Sequence, residues 1–206
     1  MDAYTKHILV EGESPKSVYQ FTDKHKWKEK DFYDNYASFK DLESQVLVAF
    51  FDQAMKMLAS DKSFDSFDAQ NKLLSFYFTY FEILTANRSL VFILLNEGQF
   101  SLQNFEILQP LKKRFKEMIA SLDIQGMDVK NDSLDNLQNA GITEGSWGQY
   151  LMTLKFWMND TSKNFEKTDV FIEKSLRASF ELMEIRPLQS VVDFGKFLFK
   201  ETLQKS

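Results

Sequence analysis

The chain has 206 residues, of which 44% are hydrophobic, 15% aromatic and 27% charged, a composition that supports a sizeable folded core and excludes a wholly disordered chain. It contains no cysteine, so disulfides, thiolate metal sites and thiol nucleophiles are excluded together. A formal charge of −5 argues against a protein that coats nucleic acid indiscriminately, while leaving room for a compact basic face.

Only three prolines and seven glycines interrupt the chain. Apolar residues recur at intervals of three and four, and strand-like alternation never persists, so the reading is all-α. Met1 to Gly12 carries Asp2, Lys6 and Glu11, and predicts a short helix ending at Gly12 rather than a signal peptide or an anchor. Apolar runs such as Leu90 to Leu95 are too short to cross a bilayer, and the expected location is the cytoplasm. Two short helices follow, Ser17 to Lys24 and Lys28 to Tyr36, then a long one from Ser38 to Ala59. Asp65 to Ala86 reads as a long helix, apolar or aromatic over most of its circumference, and therefore central.

Ser89 to Glu97 reads as a short helix. Ser101 to Leu122 reads as another, kinked or split at Pro110. Asp123 to Asn139 is polar and turn-rich and reads as the main loop. Trp147 to Asn159, Phe165 to Ile185 and Leu188 to Gln204 complete the chain, with Arg186-Pro187 marking the last break. The last helix is greasy on more than one side, with Phe194 and Phe197 lying outside its main stripe. Ile172, Leu176, Phe180 and Met183 form a regular stripe on the helix before it. This surplus of apolar surface is cheaply covered by a second copy of the chain, so these six residues are the expected dimer interface, with packing inside the subunit as the alternative.

The stretch from Gly12 to Leu42 resembles the TetR family of bacterial repressors, without a gap. Gly12 stands where that family ends its first helix with glycine, Ser17-Val18 at its Thr-Val, Phe21-Thr22 at its Ile-Ala and Trp27 at its turn valine. Phe32-Tyr33 then matches Leu-Tyr, Asn35-Tyr36 matches His-Phe, and Ser38 and Leu42 match a serine and a leucine. The spacing places Val18, Phe21, Trp27, Phe32 and Tyr36 where a three-helix unit buries side chains. The resemblance implies a helix-turn-helix DNA-binding domain, residues 1–47, joined by a long helix to an all-helical ligand-binding and dimerisation domain, residues 48–206.

It also implies a set of DNA contacts: Lys16, Lys28, Lys30 and Lys40 for phosphates, Ser17 and Tyr33 for backbone hydrogen bonds, and Asn35 for a base edge. Departures from the family pattern cluster on this surface. His25-Lys26 replaces Ala-Gly at the turn, so either a residue other than glycine takes a left-handed conformation or the turn itself differs, and Phe39 replaces a lysine. Residues 1–47 hold seven lysines, no arginine and nine acidic residues, a formal charge of −2, with Glu29, Asp31 and Asp34 on or near the recognition helix.

In the larger domain, Phe76, Tyr77, Tyr80, Phe81, Phe92, Phe115, Trp147 and Tyr150 are the expected walls of an apolar ligand pocket, although such rings equally suit a plain core. Catalysis is not expected. His7 and His25 are the sole imidazoles, and neither has the spacing of a metal or acid–base motif. There is no P-loop and no dinucleotide glycine fingerprint, so no cofactor and no metal is expected.

Two functions fit. One is a homodimeric regulator that binds double-stranded operator DNA and is released by a small apolar ligand. The other is a protein of the same fold that no longer binds DNA and instead binds a lipid-like ligand or a protein partner, as the acid-rich recognition helix suggests.

Overall fold

A computed structural model of the chain describes residues 1–95, 106–122, 124 and 132–184. Among these residues the fold is all-α, with no strand. Expectations placed on the last helix, including Phe194 and Phe197, lie outside the described residues.

The N-terminal elements form for local reasons. Helix α1 (Asp2–Glu11) ends at Gly12, whose φ of 77° lets its N–H reach the Ile8 carbonyl at 2.9 Å. Helix α2 (Val18–Lys24) is capped by Ser17, whose hydroxyl accepts from the Gln20 N–H at 3.1 Å. Helix α3 (Glu29–Tyr33) is a turn and a half, and α4 (Phe39–Ala59) is capped by Ser38 through the Asp41 N–H at 3.1 Å. Helix α4 runs unbroken across the expected domain boundary at residues 47 and 48, and one hydrophobic core extends from Tyr4 to Leu176.

A single 3₁₀ turn, Phe64–Ser66, precedes α5 (Ala69–Ala86), which starts at Asp68 rather than Asp65 because the Asp68 carboxylate accepts the Asn71 N–H at 2.8 Å. Helix α6 (Arg88–Leu94) follows almost directly and packs against α1, bringing the small N-terminal unit onto the larger body. Helix α7 (Gln109–Ser121) carries Pro110 in its first turn, where a missing N–H costs nothing, so the proline starts a helix there.

The expected loop from Asp123 to Asn139 is corrected over its second half, because α8 runs from Asp132 to Asn159. The run is polar, but no proline lies between Pro110 and Pro187, and Leu134 and Leu137 keep helical spacing. Helix α9 (Glu166–Glu184) follows a tight corner. Helix α5 lies between α4 and α9, while α8 packs on α7 and α9.

The corner between α8 and α9 is held by two charged residues. The Arg88 guanidinium donates to the carbonyls of Trp157 and Met158, both at 3.0 Å, and of Asp160 at 3.3 Å, closing the C-terminal end of α8. It also lies 4.4 to 4.6 Å from the ring centroids of Phe92, Trp157 and Phe165. Asp160 accepts from the N–H and hydroxyl of Ser162, and from those of Thr168 at 2.9 and 2.7 Å, fixing the start of α9.

Burial pushes the Asp160 carboxyl up, but the four hydrogen bonds outweigh burial and bring its pKa down to about 2. A folded-state pKa below the ordinary 3.8 means that this contribution is complete above about pH 4 and is lost as pH falls through 2. Asp160→Asn should therefore cost about 2–3 kcal/mol at neutral pH and show a flatter loss of stability between pH 4 and 2 than the parent chain, as read by urea unfolding at stepped pH.

Candidate functional site

The N-terminal unit is built on aromatic contacts around Phe21 and Phe32, both buried. Phe39, the substitution for a lysine, joins this core by stacking on Tyr4 at 5.3 Å and meeting Phe21 and Phe32 edge-on. The Tyr4 hydroxyl bonds Glu43 and lies 2.9 Å from Ser14, tying the loop after α1 to α4. Burial, reinforced by the neighbouring Glu43 carboxylate, raises the Tyr4 pKa.

The turn between α2 and α3 takes the strained form anticipated from His25-Lys26. Lys26 adopts φ 57°, the left-handed conformation, and the Trp27 N–H returns to the Thr22 carbonyl at 2.9 Å. Trp27 corrects one expectation. It is 49% exposed instead of buried, its ring lying flat on His25 at 4.8 Å and edge-on to Phe21 at 6.0 Å. An indole is too large for the space a valine fills, so it caps the turn from outside. Val18 and Tyr36 are half-buried.

Of the expected DNA contacts, Lys16, Ser17, Lys28, Lys30, Tyr33, Asn35 and Lys40 are all exposed. Lys30 and Tyr33, three residues apart on α3, share a face. Three of the seven already have partners within the chain. Ser17 caps α2, the Asn35 amide donates to the Asp31 carbonyl at 2.9 Å, and the Lys40 ammonium is paired with Glu106, just before α7. Asp31, one of the acidic residues opposing DNA, turns its carboxylate back to accept the Lys28 N–H at 3.0 Å. That bond fills an open donor at the start of α3 and favours negative charge there.

In the larger body, Phe76, Tyr77, Tyr80, Phe81, Phe115, Trp147 and Tyr150 are buried and packed ring on ring. Phe76 stacks on Tyr80 at 5.4 Å and Trp147 on Tyr150 at 4.9 Å. Phe92 is half-buried beneath Arg88. The Tyr80 and Tyr150 hydroxyls face each other at 3.3 Å, and the Tyr77 hydroxyl donates to the side-chain oxygen of Gln149.

Beside this aromatic block, between α5, α8 and α9, lies a cavity of about 480 Å³. None of the eight expected pocket residues borders it. Its walls include Leu73, Ile142, Leu176 and Phe180, the bare backbone of Gly141 and Gly145, and the side chain of Gln149. Sequence reasoning missed these residues, although the four-residue spacing of Gly141 and Gly145 marks one helix face once α8 is seen to begin at Asp132.

The expected dimer stripe is also corrected in part. Ile172 and Leu176 are 0% and 2% exposed, because α9 turns them into the subunit's own core against α5, where no partner can reach them. Phe180 is half-buried, and the Met183 side chain lies outside the described residues. Among the described residues, the large apolar side chains exposed on α8 and α9 are Met152, Phe156, Val170 and Leu182, with Phe156 stacked on Phe171 at 4.5 Å.

Compared with known families, residues 72–198 match the tetracyclin repressor-like C-terminal domain. The chain belongs to the TetR family. No curated protein matches it. The TetR match begins within α5 and takes in the aromatic block, the cavity and the corner between α8 and α9, so it is independent of the pattern from Gly12 to Leu42 that first suggested the same family. No helix among the described residues is long and apolar enough to cross a membrane.

The left-handed Lys26 gives a direct test of the TetR-like turn. A side chain at this φ is strained, so Lys26→Gly should raise stability by about 0.5–1 kcal/mol, as a higher urea midpoint at unchanged slope.

Proposed function

We propose that this TetR-family chain is a homodimeric transcriptional repressor of the cytoplasm. In this reading residues 1–47 are the DNA-binding domain, and residues 48–206 form the ligand-binding and dimerisation domain. A small apolar ligand entering the second domain releases operator DNA held by the first.

The observation that carries this reading is the turn at Lys26. It costs strain that a mere scaffold has no need to keep, and it sets α3 against α2 with Lys28, Lys30 and Tyr33 exposed. The Asp31 carboxylate is committed to the start of α3, where it accepts the Lys28 N–H. The contact of α1 with α6 supplies a physical link between the two domains.

The second reading, a TetR-fold protein that binds a lipid-like ligand or a protein partner without DNA, is favoured by the exposed Glu29 and Asp34 and by the pairing of Lys40 with Glu106. Binding to the DNA upstream of the protein's own gene, measured at two salt concentrations, separates the two. A regulator gives a site-specific complex weakened by salt, and Lys28→Glu with Lys30→Glu reverses two phosphate contacts and should abolish it. Absence of a specific complex at low salt rejects the regulator reading in favour of the second.

For the dimer we propose the exposed side of α8 and α9 centred on Phe156 and Val170. These residues present apolar area that water penalises, whereas Ile172 and Leu176 are occupied within the subunit. Phe156→Asp should convert the dimer to a folded monomer, read as a halved mass by light scattering with unchanged helical circular dichroism.

A further inference from the structure

The cavity between α5, α8 and α9 has a chemistry more specific than "apolar". Its walls, among the described residues, contain no charged side chain. Glu144, next to Gly145 in the chain, is turned toward α7, where Lys112 pairs with it at 3.0 Å and Lys116 also engages it. Those two lysines hold the Glu144 carboxyl below the ordinary carboxylate range, so it stays ionised and occupied. An ionised ligand group entering the cavity would shed its water and meet no counter-charge among the described residues.

The polar atoms that are present are neutral. Gln149 is 6% exposed and already engaged, its side-chain oxygen accepting from Tyr77 and its NH2 donating to Ser175 at 3.0 Å and to Thr153 at 3.3 Å. The Ser179 hydroxyl donates to the Ser175 carbonyl at 2.9 Å, which leaves its own lone pairs for a ligand donor. Opposite, a Cβ built at Gly141 or Gly145 meets no atom within 4 Å, so the α8 wall is flat backbone facing open space. The volume of about 480 Å³ lies within the usual range for small-molecule sites.

We propose that this cavity is the ligand site, and that it takes an uncharged, mainly aliphatic molecule carrying a hydroxyl or comparable neutral donor. The hydrocarbon lies along the glycine wall against Leu73, Leu176 and Phe180, and the donor reaches Ser179. The proposal rests on the ligand half of the reading above and is independent of the DNA half. The fully buried rings of α5 and α8 act as the rigid floor beside the ligand, not as its walls.

The test uses the full chain without DNA, so its failure and a failure of DNA binding are read separately. Titration calorimetry with decan-1-ol, decanoate and decylammonium should show saturable binding of the alcohol, with both ions weaker by about tenfold or more. Gly145→Leu fills the cavity while improving helix propensity, so it should remain folded and weaken decan-1-ol binding by about tenfold or more. Gly141→Leu tests the same wall independently.

Equal binding of decanoate overturns the assigned ligand chemistry. Unchanged binding of the alcohol in both folded variants moves the site elsewhere, and no binding up to the solubility limit removes it. Loss of fold in both variants contradicts the open wall on which the proposal stands.

Discussion

The body of this protein depends on burying tyrosine and tryptophan without stranding their polar atoms. Tyr77, Tyr80, Tyr150 and Trp157 are all at most 1% exposed, and each brings a hydroxyl or an indole N–H into a space without water. An unpaired group there costs on the order of 1–3 kcal/mol, enough to cancel much of the gain from burying a ring. The helices sit where these groups find each other: Tyr80 against Tyr150, Tyr77 against Gln149, and the Trp157 indole on the Thr85 hydroxyl at 2.9 Å. These contacts fix the register of α5 against α8, and burial raises the pKa of all three tyrosines so that they stay neutral.

The small N-terminal unit follows a different economy. Several of its polar groups that a DNA reading would assign to a partner are already in use inside the chain. Asp31 closes the start of α3, Asn35 bonds a backbone carbonyl, and Lys40 is paired across to Glu106. Exposed pairs of this kind are individually weak, so such groups remain able to exchange partners. The strained turn at Lys26 is the clearest sign that helix placement in this unit has been kept against a local cost.

Much of this was legible in the sequence where the signal is local. The Gly12 end of α1, the Ser17 and Ser38 caps, the left-handed residue at His25-Lys26 and the break at Pro110 all act within a few residues of themselves. The reading failed where composition imitated a different local signal. The polar, turn-rich run from Asp123 to Asn139 made the start of α8 resemble a loop, although a long helix packed along one side tolerates such residues. Trp27 was misplaced because matching positions transfers a location but not a volume.

By itself, then, the sequence determined an all-α chain of TetR type with its caps and turns, because periodicity, capping and backbone strain are encoded over short distances. The tertiary structure decided which apolar stripe is spent inside the subunit, which charges are already paired, and where space is left between helices. Ile172 facing the core, Glu144 turned toward α7 and the open wall at Gly145 each depend on residues far away in the chain arriving at one place, and no local pattern carries that information.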